Sequence, residues 1–175
     1  QSGHEAGSHA NAMSYNSSFD PTDPDVSNIW NTCYTYINTC NGLVDNAAGI
    51  TDINTATKQE MVAEAKFLRA YYYFILVQFW GDVTLNEHFQ AVPATSASRA
   101  PMADVYDFII QDLKDAVADL NPSPQQNGTL PGEATGAAAR HLLAKGDITR
   151  AYSSAKQSDD FENAYTTAKH LIDDA

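Results

Sequence analysis

From Thr57 to Trp80 the sequence TKQEMVAEAKFLRAYYYFILVQFW carries Met61, Ala65, Leu68, Tyr72, Ile75 and Phe79 at steps of three and four. Phe67, Tyr71, Phe74 and Leu76 widen this stripe. The period is that of an α-helix, and a stripe broader than one face implies burial on more than one side. Thr57 followed by Glu60 has the spacing of a capping box, which sets the helix start. Gly81 follows the last aromatic, where a residue able to take positive φ ends a helix. The pattern predicts about 24 helical residues, roughly 36 Å long, on which the other elements must pack.

Residues 1–26 are polar, rich in Ser, Asn, Asp and Gly, and read as a loop. With Ser27 as N-cap, Trp30, Cys33, Ile37, Cys40 and Val44 give the buried stripe of a first helix that ends near Asn46. Asn28, Asn31, Thr35 and Asn38 fall on its opposite, polar side. After Gly81, the stretch GDVTLNEHFQAVPATSASRA has no helical period. Unstructured connections of that length are uncommon in compact domains and are often functional. Pro101 fits a first helical position, with Asp104 and Asp107 complementing the helix N-terminus. Val105, Ile109, Leu113, Ala116 and Leu120 form the stripe of a third helix, which Asn121-Pro122 stops. Thr135 opens a fourth, TGAAARHLLAKGDITRAY, whose Ala137, Ala138, Ala139, Ala144 and Gly146 make a small-residue surface open to close approach. Phe161, Ala164, Ala168, Leu171 and Ala175 outline a fifth, and the chain ends inside it without a C-cap, as a piece cut from something longer would.

Five helices across residues 27–175, joined by turn-rich segments with no convincing strand, predict an all-α fold in a single domain over residues 1–175. Pairing the second helix with the first and the fourth with the third suggests helical hairpins. Their spacing far exceeds the ~34 residues of a regular tetratricopeptide repeat. A tetratricopeptide-like stack interrupted by long loops accommodates this.

The charge balance narrows the function. Against 22 Asp and Glu stand 10 Lys and Arg, a formal charge of −12 that repels nucleic-acid phosphate and anionic lipid headgroups. The longest run of the central helix free of charged and amide residues, Ala70 to Val77, falls well short of the ~18 residues needed to span a bilayer. No basic and apolar leader opens the chain, so an export signal is expected to have been removed or to lie upstream. Cys33 and Cys40 are seven apart on one helix, about 10 Å axially, beyond the ~7 Å Cα limit of a disulfide. They are expected to be buried small apolar residues.

No enzymatic signature is present. His4-Glu5 and His9 approach a zinc-hydrolase motif, but the histidines are five apart where one helical face needs four, so no metal is expected. His141 and His170 lie within helices as surface or satisfied core residues. Carboxylate pairs can be drawn anywhere among 22 acids and carry no information. No phosphate loop, dinucleotide fingerprint or nucleophile elbow appears, and no cofactor is expected. Asn127-Gly128-Thr129 matches a glycosylation sequon and reads as a turn. Arg69, set among aromatics, is expected to pair with a carboxylate such as Glu64 or Asp82. Trp80 and the run Tyr71-Tyr72-Tyr73 are expected in the core and between helices rather than in a sugar platform.

Three separated segments together resemble the SusD/RagB family of outer-membrane nutrient-binding lipoproteins. They are WNTCYTYINTCNGLVDNA, AEAKFLRAYYYFILVQFWGDVTL, and SRAPMADVYDFIIQDLKDAVADL followed by ATGAAARHLLAKGDITRAY. The resemblance covers about residues 27–174 in the family's order, and departs from it at Thr84, where the family usually has proline after Gly-Asp-Val. Members usually run to around 500 residues, begin at a lipidated cysteine and continue into a large irregular C-terminal half. The resemblance therefore implies the tetratricopeptide-like, N-terminal part of a surface lipoprotein of a Bacteroidetes-type outer membrane. Such a protein forms a lid over a SusC-like TonB-dependent transporter and delivers oligosaccharides, or in some members peptides, without cleaving them. Three rivals are the same fold capturing peptides, a scaffold that binds the transporter alone and, last, a glycoside hydrolase. Glycan sites in this family draw on loops, several of them ahead of the Trp-containing helix, and need flat aromatic faces beside planar amides or carboxylates. By placement and chemistry the candidates are Tyr15, Asn16 and Phe19 in the first loop, with His88 and Phe89 in the long third one. Phe19 and Phe89 also suit loop anchors packed on the helices. Phe161, Ala168 and Leu171 are expected to stay partly uncovered, predicting marginal stability or association for residues 1–175 alone.

Overall fold

The computed structural model describes residues 23–92, 94, 96–122 and 132–173. Tyr15, Asn16, Phe19, the His4–His9 stretch and the 127–129 sequon lie outside them. Among the described residues the elements are α1 (Pro24–Asn46), α2 (Thr55–Trp80), α3 (Met102–Asp119), α4 (Gly136–Ala151) and α5 (Asp160–Asp173), with a 3₁₀ turn at Ala47–Gly49 after α1. The predicted all-α class is what is found. Each helix packs on its neighbours in the chain, so the molecule is a serial stack of helical hairpins.

The helix ends show where local rules compete. α1 begins ahead of Ser27 because Asp23 caps it, Oδ1 accepting from the Asp25 N–H at 2.9 Å, with Pro24 at the first helical position. Ser27 is thereby drawn into the first turn, its hydroxyl donating to the Pro24 carbonyl at 3.3 Å. The Thr57–Glu60 capping box does not form either. Asn54 caps α2, its Oδ1 accepting from the Thr57 N–H at 2.8 Å, while Glu60 accepts from the Asn121 side-chain amide beyond the end of α3. Gly81 ends α2 as expected, at φ +68° with its N–H on the Val77 carbonyl at 3.0 Å. Pro101 is the N-cap of α3 rather than its first helical residue, and Asp82 Oδ1 accepts from the Met102 N–H at 2.8 Å. Thr135 caps α4 through the Ala138 N–H at 3.1 Å.

The core is built from Cys33 and Ile37 of α1, Tyr73, Phe74, Leu76 and Val77 of α2, Val105, Tyr106, Ile109 and Leu113 of α3, and Leu142 and Leu143 of α4. Both cysteines are free and buried. The α3 stripe from Val105 to Leu120 is buried throughout. Ala139 of the small-residue surface packs with Ala63, Ala116 and Leu120. On α5 only Ala164 of the expected stripe is buried, and Phe161 is half exposed.

The phase of α2 differs from its sequence pattern. Met61, Leu68 and Phe79 of the predicted stripe face outward, Phe79 at 68% exposure, whereas Ala63, Arg69, Ala70, Tyr73, Phe74, Leu76 and Val77 are buried. Between α1 and α3, the helix buries two strips that small residues and a paired Arg can line, so bulk apolarity alone does not mark the inner face. The tyrosine run splits at 100° per residue. Tyr73 is fully buried, Tyr72 stacks on Tyr36 at 5.2 Å and 14°, and Tyr71 is 44% exposed, a surface position instead of the expected core. Arg69 pairs with neither Glu64 nor Asp82. Its Nε and Nη2 grip Asp112 of α3 at 2.7 and 2.8 Å, and its Nη1 reaches Asn41 of α1 at 2.7 Å. Asp112 is the acid that a bidentate grip can reach across the α2–α3 contact, because Asp82 lies beyond the helix end as a cap.

Candidate functional site

The long connection after α2 is fixed along its first half by a row of polar side chains on α1. Asn38, Asn41 and Asp45, spaced three and four, share one side of that helix. Asn38 exchanges two hydrogen bonds with the Gln90 backbone, at 3.1 Å to the carbonyl and 2.8 Å from the N–H. Asn41, fully buried, donates to the Asn86 carbonyl at 2.8 Å and the His88 carbonyl at 3.2 Å while accepting from Arg69. Asp45 accepts from the Phe89 N–H at 2.8 Å and meets His88 Nδ1 at 3.1 Å, and these contacts, the N–H bond first, hold its carboxyl below the usual range. From the other side the Tyr73 hydroxyl donates to the Asn86 carbonyl at 3.0 Å and accepts from its N–H at 2.7 Å. These side chains stand in for the ladder that an irregular segment lacks, and so fix its backbone on the helices. At its base the loop closes with an antiparallel bridge in which the Ala100 N–H donates to the Val83 carbonyl at 2.8 Å.

Between this pinned loop and the N-terminal half of α1 lies an open groove of about 1140 Å³. Its aromatic floor is Trp30 and Tyr34, with ring centroids 4.9 Å apart, and Trp30 is backed by Trp80 edge-on at 5.2 Å. Tyr34 donates its hydroxyl to the Thr84 carbonyl at 2.8 Å, a backbone group that proline would offer equally. Burial pushes the Tyr34 phenol up to about 12, with that hydrogen bond and the nearby Arg99 working the other way, so it stays a neutral donor. Asn31, Thr35, Asn38 and Thr39 line the helix side, and Gln90, Ser96 and Ser98 the loop side. Flat aromatic faces beside amides and hydroxyls suit the apolar face and the hydroxyl edge of a sugar ring. The volume lies just above the usual range of small-molecule clefts and gives room for an extended oligomer.

Of the sequence candidates within the described residues, His88 and Phe89 stand together on the α1 C-terminal side and are not among the groove's lining residues. His88 is held by Asp45 with its side chain 83% exposed. Phe89 rests its ring on Gly42, where an added Cβ would come within 3.2 Å of Cδ2, so it anchors the loop while remaining 47% exposed. Trp30 was legible as part of the packing stripe of α1, and it does pack against the core while lining the groove; Tyr34, which does the same, was not singled out by the pattern. The Asn38–Asn41–Asp45 row was missed, although Asn41 follows Cys40 on the buried side, where an amide needs a partner.

The described residues thus form a serial stack of helical hairpins that carries a loop-walled groove. The chain belongs to the SusD-like family: the family model described as "Starch-binding associating with outer membrane" matches residues 3–145. A SusD-like protein of Bacteroides ovatus is 32% identical over 133 residues, which cover 73% of this chain and 23% of the relative. A SusD homologue of Bacteroides thetaiotaomicron superposes with a TM-score of 0.79 at 27% identity, covering 89% of this chain and 31% of its own. A protein solved with a xylogluco-oligosaccharide superposes with a TM-score of 0.76 at 29% identity, covering 88% of this chain and 30% of its own. The chain thus spans about a quarter of the length of the curated relative and under a third of these solved structures. Among the described residues, no helix is long and apolar enough to cross a membrane.

Proposed function

We propose that this chain is the helical part of a surface glycan-binding lipoprotein that captures oligosaccharides at the outer membrane and hands them to a SusC-like TonB-dependent transporter. Binding and delivery are its whole chemistry, and no bond is cleaved. A lipid anchor outside the covered chain holds it to the membrane, and residues 1–175 act as one domain. The observation that carries this reading is the Trp30–Tyr34 floor set against amide and hydroxyl walls, on a family scaffold of which one similar structure contains a xylogluco-oligosaccharide.

Calorimetric titration of the complete protein with soluble polysaccharides and peptides, followed by an assay for newly released ends, tests it. Saturable heat with a glycan, no cleavage, and at least tenfold weaker binding in Trp30→Ala are expected, a loss of about 1.4 kcal/mol or more. Cleavage products would make the protein an enzyme. Heat with peptides alone would transfer the site to peptide capture, and silence across the panel would leave a scaffold for the transporter.

A further inference from the structure

The described lining of the groove contains no Asp, Glu, Lys, Arg or His among its sixteen residues. Charged residues make up 18% of the chain and concentrate on protein surfaces, so about three would be expected in a surface patch of that size. The neutrality is set within an acidic molecule, with a formal charge of −12. We infer that the groove selects uncharged oligosaccharides and rejects those bearing carboxylate or sulfate groups. This rests on the glycan reading of the same groove.

The argument is one of unpaired charge. A uronate or sulfated sugar entering the groove gives up part of its hydration, and anions are recognised where Arg or Lys supplies charge-assisted hydrogen bonds in return. Asn31, Thr35, Asn38 and Ser98 offer neutral dipoles only. Arg99, next after Ser98, lies close enough for its field to reach Tyr34, but it is exposed. An exposed single cation gives at most ~1 kcal/mol, and less as salt rises. The acidic remainder of the molecule meanwhile repels an approaching anion. An uncharged sugar meets none of these penalties. Its apolar face lies on Trp30 and Tyr34, and its hydroxyls exchange water for amides and hydroxyls. Discrimination thus comes from what the walls lack as much as from what they present.

Matched hexasaccharides decide it on the complete protein at low ionic strength: neutral ones built from glucose and xylose, one of galacturonate, and one of sulfated galactose. A neutral hexasaccharide is expected to bind at least tenfold tighter than either anionic one. The double variant Asn31→Lys, Ser98→Arg, at two exposed positions, is expected to raise the affinity for the anionic probes at least tenfold. Trp30→Ala, checked for folding by circular dichroism, should abolish the neutral binding. An anionic hexasaccharide bound as tightly as the neutral ones, and lost in Trp30→Ala, would overturn the selectivity while leaving the groove as the glycan site. Binding indifferent to Trp30, or none of any probe, would remove the groove reading and this inference with it.

Discussion

Asp147 gives the sharpest quantitative test of how this stack is held together. It sits on α4 one turn before Arg150, a guanidinium shared by three carboxylates. Nε and Nη2 serve Asp160 at 2.8 and 2.6 Å, and Nη1 serves Asp107 of α3 at 2.6 Å. Asp147 Oδ1 is left 3.7 Å from Nη2 with no hydrogen-bond partner, although its side chain is 3% exposed. Burial, with added repulsion from Asp160 and Asp159 against the pull of Arg150 and Lys114, raises its pKa from 3.8 to about 6. Between those values the folded chain binds a proton that the unfolded chain has released. Stability therefore falls as pH rises through the window, and the penalty is complete above about pH 6. At 1.36 kcal/mol per unit the cost amounts to about 2 to 3 kcal/mol. Asp147→Asn keeps the shape and removes the charge. Urea denaturation followed by circular dichroism from pH 4 to pH 8, at constant ionic strength, should find the variant more stable by about 1 to 3 kcal/mol at pH 8 and within about 0.5 kcal/mol of the native chain at pH 4. Asp160→Ala, which removes the acceptor of both short Arg150 bonds, should instead destabilise at both ends of the range. A difference between Asp147→Asn and native that does not vary with pH, or a less stable variant at pH 8, would refute the assignment of the orphaned charge.

Two further substitutions test the packing. Arg69→Met strands Asp112 as a buried carboxylate without its counterion, and denaturation should report a loss of about 3 to 5 kcal/mol. Adding Asp112→Leu should recover most of that, since the pair itself contributes little beyond its own desolvation. Phe79→Ala, at a 68% exposed position, should change stability by less than about 0.5 kcal/mol and reduce self-association. Phe74→Ala, 3% exposed, should cost about 3 to 5 kcal/mol. Equal costs for the two would mean that Phe79 is buried like Phe74, as the sequence stripe of α2 predicts and its observed face does not.

These contrasts show what could be read from the chain and what could not. Helix existence, order and the α3 stripe were legible because one side of α3 is apolar at every third or fourth residue, from Val105 to Leu120. The phase of α2 was not, since apolar residues ring that helix and only its neighbours decide which of them are covered. Asn54 and Asp23 outbid nearby residues as caps, and no local rule ranks two adequate caps a few residues apart. The partner of Arg69 was hidden for a related reason: Asp112 lies 43 positions away, and sequence proximity had favoured Glu64 and Asp82. Of the site, the long connection was marked as functional by its length. His88 and Phe89, the candidates from that connection, lie outside the lining of the groove, whose aromatics Trp30 and Tyr34 come from a helix.

A polar row on a helix reads as a solvated face, yet Asn38, Asn41 and Asp45 spend their hydrogen bonds on the backbone of residues 86–90. That row, with Tyr73, fixes one stretch of the loop to the helices, and the Val83–Ala100 bridge fixes its return. Ser96 and Ser98 fall in sequence between the two fixed points and line the groove together with Trp30 and Tyr34. The floor thus belongs to the helical stack, and Ser96 and Ser98 to the arm that joins the two fixed points. Changes in the length or side chains of that arm can alter the width and polarity of the groove while the Asn38–Asn41–Asp45 row and the core stay as they are.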